Sequence, residues 1–430
     1  MIVLGFLLVI LVGALLLWSS NKYLYGMPIT VEDALFMSTS AVCVTGLATI
    51  DLNTGMGAVS QLVILILIQI GGLGFMTAVM MLGVAVGRRM GIKSRLFFLV
   101  GFGLNGISGA VRLLKILTKY TFAAESIGAV LLYWGFIRHG LPVEKSVYYA
   151  VFHSVSAFCN AGFSPLPNGL NGFSLSIIVP AAVMMLIILG GIGFPVFANC
   201  WETFRKRDRI SHYSKLVLFI TFWLITAGTM MLLISDWNGG LSGLPGWAKI
   251  WNAIFTSVTT RTAGFDTVRP AAFSGLGKIL MIALMIIGAS PASTGGGIKT
   301  TTLGVLGIAA WNEILGREEN IFWHRKLDHQ IVRRALTMAF IYVITLFLGA
   351  VILSLVEDFS FEELIFEVVS AMGTVGLSLG ITPELSVAGK MVLVILMFWG
   401  RVGILSFFAS LIREEKKVEI HYPEVNIPIG

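Results

Sequence analysis

The sequence predicts an all-α integral membrane fold of about eight transmembrane helices plus four re-entrant half-helices, arranged as four like units about a central axis. Three observations carry that expectation: long apolar runs, basic residues on alternate connections, and a short glycine-ended stretch that occurs four times.

The 430 residues are 56% hydrophobic and 12% charged, with a mean hydropathy of +0.88. Soluble globular domains carry roughly 25% charge, so water is not the main solvent here. Apolar runs near residues 2–18, 58–86, 118–136, 174–199, 216–235, 275–289, 335–356 and 388–412 mostly reach the roughly 20 residues that cross hydrocarbon as a helix. The first run lacks a basic leader and an A-x-A-like cleavage site and continues into Ser19, Ser20, Asn21 and Lys22, so it reads as a retained helix. Cys43, Cys159 and Cys200 sit in or beside apolar segments without a C-x-x-C pair, which gives no disulfide or zinc framework.

A net charge of +7 suggests nucleic acid until the positions are read. Arg88, Arg89, Lys93, Arg95, Arg112, Lys115 and Lys119 follow the second run, and Arg205, Lys206, Arg207, Arg209 and Lys215 follow the fourth. Arg317, Arg325, Lys326, Arg333 and Arg334 follow the sixth, and Arg413, Lys416 and Lys417 follow the last. That alternation is topological: it places both termini and the even-numbered connections in the cytoplasm, with no nucleic-acid face. The outward connections hold Glu32, Asp33, Asp51, Glu144, Asp236, Asp266, Glu357, Asp358, Glu362, Glu363, Glu367 and Glu384. An acidic outer mouth concentrates cations, although each carboxylate alone also reads as a solvated loop residue.

Each outward connection carries a second, shorter apolar stretch: Ala34 to Leu47, Ala150 to Phe163, Ala253 to Phe265 and Leu364 to Leu377. A phenylalanine precedes a glycine by ten positions in three of them (Phe36 and Gly46, Phe152 and Gly162, Phe366 and Gly376) and by nine in the other (Phe255 and Gly264). The stretches are too short to span, so each is expected to enter as a half-helix and return as extended chain, which survives at membrane depth only in protein or beside water. A second glycine marker follows 24 to 28 residues on: GGLGF from Gly71, GGIGF from Gly190, the Gly288 segment and GRVGI from Gly400. Close helix packing of the small-xxx-small kind suits GGLGF and GGIGF, but not Gly46, Gly162, Gly264 and Gly376.

Rings of backbone carbonyls replace the water of a dehydrating cation without fixing a full negative charge in its path. Glycine suits such a bend because it tolerates positive φ and adds no side chain. The candidate carbonyl ligands precede the four glycines: Cys43, Val44 and Thr45; Cys159, Asn160 and Ala161; Thr262 and Ala263; Gly373, Thr374 and Val375. Arg261 would repel a cation if it faced the axis, so it is expected to point away and pair with Glu367 on the fourth half-helix.

The loops VTGL, NAGFS, RTAGF and TVGLS, the GGLGF and GGIGF segments and the ending HYPEVNIPIG resemble the Trk/Ktr/HKT superfamily of potassium transporters, most closely the KtrB-type subunit. The resemblance implies four M1-P-M2 pore repeats around a central ion path, with a filter of one glycine per repeat that binds K+ at its carbonyls. The repeats divide at 1–87, 88–200, 201–310 and 311–412, followed by a tail at 413–430. It further implies a homodimer in the bacterial cytoplasmic membrane, contacts with membrane lipid, and Na+ as an activator. A cytoplasmic octameric ring of KtrA-like RCK subunits would carry the nucleotide. Glycine rather than serine at position 46 points to potassium.

The third repeat departs from the others at GASPASTGGGIKTTT, Gly288 to Thr302. Pro291 and Gly295, Gly296 and Gly297 break the helix and free backbone groups at mid-membrane. A phosphate-binding P-loop needs glycine directly before lysine, and Ile298 precedes Lys299. The segment Gly288, Ala289, Ser290, Pro291, Ala292, Ser293, Thr294, Gly295, Gly296, Gly297 and Lys299 resembles the intramembrane gating loop of KtrB proteins. Arg401 is the candidate latch, since a guanidinium can donate to several freed carbonyls; a plain structural anchor is the other reading.

Glu125 in the third span reads as a functional site or as an interhelical partner. His153 and Ser154 are helix neighbours that point in different directions, so they make no nucleophile and base pair. The charged segments Trp201–Lys215 and Trp311–Gln330 serve as topology determinants or as docking sites for the ring. Inverted repeats would place corresponding loops on opposite faces, whereas the charges put all four loops outside. No convergent acid, base and nucleophile set supports an enzyme.

Overall fold

The computed structural model describes residues 2–74, 110–206 and 209–403. Arg88, Arg89, Lys93, Arg95, Arg207, Arg413, Lys416, Lys417, the tail 413–430 and the repeat boundaries at 87 and 412 lie outside the described residues. In chain order a first group holds α1 (Ile2–Ser19), α2 (Val31–Cys43) and α3 (Ala58–Leu73). The second holds α4 (Ala110–Arg138), α5 (Val143–Phe158), α6 (Ile178–Gly191) and α7 (Phe194–Lys206). The third holds α8 (His212–Asp236), α9 (Gly246–Thr259), α10 (Gly275–Ile286) and α11 (Thr300–Ile314). The fourth holds α12 (His329–Val356), α13 (Phe361–Gly373) and α14 (Val387–Val402).

Four stretches among the described residues are long and apolar enough to cross a membrane: Val3–Leu24, Leu114–Arg138, His212–Asp236 and His329–Val356. At the other expected spans lie the shorter apolar helices α3, α6, α10 and α14, with α6 and α7 forming a bent pair. Among the described residues, the second helix of each group ends or bends at a break: at Gly74 (φ +81), at a 96° bend about Gly193 (φ +95), after Ile286, and at Gly403 (φ +82). A break was expected in the third group alone. Glycine leaves hydropathy high, so the run looks unbroken, yet it accepts the left-handed backbone that ends a helix.

The short helices α2, α5, α9 and α13 hold 13, 16, 14 and 13 residues. Side chains and prolines fix their starts. The Thr30 hydroxyl accepts the Asp33 amide at 3.2 Å, Ser360 and Glu363 form a reciprocal capping box, and Pro142 and Pro245 precede the other two. The repeated phenylalanines Phe36, Phe152, Phe255 and Phe366 are fully buried, which anchors each short helix in one continuous core.

The second glycine markers serve close packing. A Cβ on Gly71, Gly190 or Gly400 would run into the carbonyl oxygen of Val42, Phe158 or Met372, at the end of the short helix of the same group. Two ion pairs tie neighbouring groups, Lys278 to Glu362 at 2.9 Å and Lys390 to Asp33 at 2.8 Å.

Gly190→Ala should therefore lower the melting temperature of detergent-solubilised protein, at a cost of about 1–3 kcal/mol for overpacking. Gly307→Ala, on α11 with nothing within 4 Å of the added methyl, should leave it equal or slightly higher.

Candidate functional site

All four short helices end in the same backbone figure. Val44, Asn160, Thr262 and Thr374 take left-handed φ of 58°, 60°, 72° and 50°, and two positions later Gly46, Gly162, Gly264 and Gly376 take φ of 99°, 68°, 77° and 92°. The intervening amides turn back to the helix: Thr45 donates to the Ser40 carbonyl at 2.8 Å, Ala161 to Ser156 at 2.7 Å, Ala263 to Thr259 at 2.9 Å and Val375 to Ser370 at 2.8 Å.

The hydroxyls of those four residues complete the tie. The Gly46 amide donates to Ser40 Oγ at 3.1 Å and the Gly376 amide to Ser370 Oγ at 3.0 Å. Ser156 Oγ donates to the Phe163 carbonyl at 2.9 Å, and Thr259 Oγ1 to that of Phe265 at 2.6 Å. Sequence reasoning missed these residues, although their spacing was visible: six before the glycine in three copies and five in the third. The third copy's one-residue deletion also explains its shorter phenylalanine spacing.

The four glycines meet in a closed cycle. A Cβ on Gly46 would lie 2.5 Å from the Ala161 carbonyl oxygen, and one on Gly162 would lie 2.8 Å from that of Ala263. A Cβ on Gly264 would press closer still on the Val375 oxygen, and one on Gly376 on that of Thr45. Each glycine thus touches the residue before the next glycine in the order 46, 162, 264, 376 and back to 46. The Thr45, Ala161, Ala263 and Val375 carbonyl oxygens thus alternate with the four glycines around this cycle. Above them lies a cavity of about 300 Å³ lined by all four glycines, Asp51 and Asp266.

The electrostatics favour a cation. The short helices aim their C-terminal ends, which carry partial negative charge, at the ring. Asp266 is held above the usual carboxylate range by burial, while the Asn171 amide donates to it at 3.1 Å and opposes that shift. Several other acids expected at the mouth do structural work instead. Buried Asp236 accepts from the Ser274 amide at 2.6 Å, and Glu357 accepts from the Ser386 amide at 2.8 Å.

The expected pair of Arg261 and Glu367 does not form. The buried Glu367 carboxylate accepts from the Ser378 hydroxyl and, at 3.0 Å, from that of Thr382, both in its own group. These local hydroxyls satisfy it without a cation. No ion pair among the described residues involves Arg261, whose Nε is buried without a partner.

Beneath the ring, residues 288–299 leave the helix and pack against the second, third and fourth groups. The Ser290 and Thr294 amides donate to the Gly191 and Gly190 carbonyls at 3.0 and 3.2 Å, and the Gly296 amide donates to Thr374 Oγ1 at 3.1 Å. A Cβ on Gly295 would clash with the Thr262 side chain. Lys299 Nζ donates to the Gly295 carbonyl at 2.8 Å. Arg401 donates to the Thr294 carbonyl, and also to those of Gly71 and Gly72 at the end of α3. The guanidinium thus bridges one carbonyl of the loop and two of the first group, where several loop carbonyls were expected.

The weaker candidates find ordinary partners. Gln69 donates to the Glu125 carboxylate at 3.0 Å across α3 and α4, and Ser154 donates to the Glu125 carbonyl at 2.5 Å. His153 bonds to the Tyr149 carbonyl and, at 2.8 Å, to Ser164.

Ser370→Ala should strand the half-buried Gly376 amide and lower stability by about 1 kcal/mol, read as a melting shift of the solubilised protein. Ser370→Thr, which keeps the hydroxyl, should recover most of it.

Comparison with known proteins places this geometry. A family model described as TrkH, cation transport protein, matches residues 5–419. The Ktr system potassium uptake protein B of Bacillus subtilis is 35% identical over 99% of this chain and 95% of its own length. The potassium/sodium uptake protein NtpJ of Enterococcus hirae is 36% identical over 99% and 96%. In fold, the chain resembles the crystal structure of the potassium transporter TrkH from Vibrio parahaemolyticus, with a TM-score of 0.73 and 20% identity over 95% of this chain and 84% of that one. The family transports cations rather than catalysing a reaction, and its match together with the span-length helices makes this a multi-pass membrane protein. The chain belongs to the TrkH family of cation transport proteins.

Proposed function

We propose that this chain takes up potassium across a bacterial cytoplasmic membrane along the axis that Gly46, Gly162, Gly264 and Gly376 surround. The observation that carries the reading is the closed cycle of contacts, in which each glycine abuts the carbonyl before the next. On this reading the four helix groups are M1-P-M2 repeats. The carbonyls of Thr45, Ala161, Ala263 and Val375, and those of Val44, Asn160, Thr262 and Thr374 below them, replace water around K+. Cys43, Cys159 and Gly373 offer the carbonyls at the inner end. The names of two relatives, a potassium uptake protein and a potassium/sodium uptake protein, support the choice of ion. Sodium serves as an activator.

Residues 288–299 act as the gate, and Arg401 latches the loop to α3. A cytoplasmic RCK-type ring regulates a homodimer of this chain, in keeping with the Ktr system to which relatives belong by name. Both termini then face that ring.

Rubidium flux into proteoliposomes should be blocked by external potassium far better than by sodium or lithium. Ser in place of Gly46, Gly162, Gly264 or Gly376 should relax that discrimination; intact discrimination in all four variants would refute the filter assignment. Arg401→Gln, or deletion of Gly295–Gly297, should raise flux with discrimination retained, and unchanged flux in both would remove the gate.

A further inference from the structure

The bend between α6 and α7 leaves backbone groups without helical partners, carbonyls at the end of one helix and amides at the start of the next. Residues 290–294 meet both sets. The Ser290 and Thr294 amides donate to the Gly191 and Gly190 carbonyls of α6, and the Phe194 amide at the head of α7 donates to the Ala292 carbonyl at 3.0 Å. The Tyr213 hydroxyl of α8 donates to the Pro291 carbonyl at 3.4 Å, and a Cβ on Gly193 would lie 2.6 Å from that same oxygen. The root of the loop is thus stapled across the bend, largely backbone to backbone. We propose that α7 is the lever of the gate: the helix and residues 290–294 shift together, so that displacing α7 draws the loop away from the ring. This rests on residues 288–299 being the gate and adds the element that moves them.

The loop's other ties are of a different kind. Its tip reaches the third and fourth groups through side chains, the Gly296 amide to Thr374 Oγ1 and Gly295 against Thr262. Arg401 holds the Thr294 carbonyl through a guanidinium. Side chains change rotamer far more readily than a backbone staple comes apart, so the tip and the latch release first while the root stays with the bend. Thr294 joins the two sets. Its amide donates to Gly190, its hydroxyl donates to the Phe158 carbonyl at 3.2 Å, and its carbonyl accepts from Arg401.

The rest of α7 is free to shift. It leaves α6 at 96° about Gly193, a single-residue hinge in left-handed backbone. Its middle packs by ring faces: Tyr120 of α4 stacks on Phe197 with 3.6 Å between centroids, and Phe197 stacks on Trp201. Such faces can slide as packed helices shear. At its far end Trp201 and Phe204 are 55% and 87% exposed. A helix bonded to the loop at its head and open at its tail converts a small displacement at the tail into a pull on residues 290–294.

Coupling is reciprocal, so freeing the loop must also free α7. Cys200 on α7 reports this, since it is partly exposed whereas Cys43 and Cys159 are fully buried. Full-length protein in proteoliposomes is labelled with a maleimide, with Cys200→Ser as the blank. Arg401→Gln, or deletion of Gly295–Gly297, should raise the Cys200 labelling rate about fivefold, the lower end of a coupling between two sites. Tyr213→Phe should raise rubidium flux about threefold, the effect of one long hydrogen bond, and add nothing once Gly295–Gly297 are deleted. Equal labelling of the wild type and both loop variants would overturn the lever even where flux rises, and the gate would then stand without it. Faster labelling with unchanged flux would uphold the tie between α7 and the loop and remove the gate. An equal gain from Tyr213→Phe with and without the deletion would overturn the part given to its hydroxyl.

Discussion

Four glycine α-carbons approach the neighbouring carbonyls so closely that no Cβ fits between them, and the rest of the molecule is organised to hold that approach. A backbone bent to positive φ twice in three residues does not hold itself at membrane depth. Here each bend is held by one hydroxyl residue, Ser40, Ser156, Thr259 or Ser370, and each short helix by one buried phenylalanine. In the first, second and fourth groups, Gly71, Gly190 and Gly400 let the following helix lie directly against the helix end. A shift at any level reaches the ring, because the contacts run backbone to backbone and leave no flexible side chain to yield.

The symmetry of the ring stops immediately below it. Among the described residues, the second helices of the other three groups end or bend at a glycine, whereas the third gives way to residues 288–299, which pack beneath the ring. That segment touches the left-handed residues themselves: Gly296 bonds to Thr374, and Gly295 packs on Thr262. Ring and loop are therefore mechanically joined. Their shared residues belong to the third and fourth groups, the side on which Arg401 and Lys299 also stand.

Much of this was legible because glycine marks a sequence wherever a Cβ is forbidden. Gly46, Gly162, Gly264 and Gly376 announce themselves by equal spacing from a phenylalanine, and the broken third helix by proline and three glycines. The breaks at Gly74, Gly193 and Gly403 were hidden, since an apolar glycine does not interrupt a hydropathy profile. The partner of Glu367 was also hidden. Spacing says which residues share a helix end, but not that hydroxyls eleven and fifteen residues onward fold back to meet a carboxylate first. Ser40, Ser156, Thr259 and Ser370 were overlooked because serine and threonine are unremarkable until their acceptors are seen.

The central claim is that the Thr45, Ala161, Ala263 and Val375 carbonyls surround a cation on the glycine axis. An anomalous difference map from crystals grown in thallium, a potassium stand-in, tests it most directly. The account predicts a peak on the axis within the ring of those four oxygens that fades when potassium competes. Thallium bound elsewhere in the molecule, with the ring empty, would contradict it.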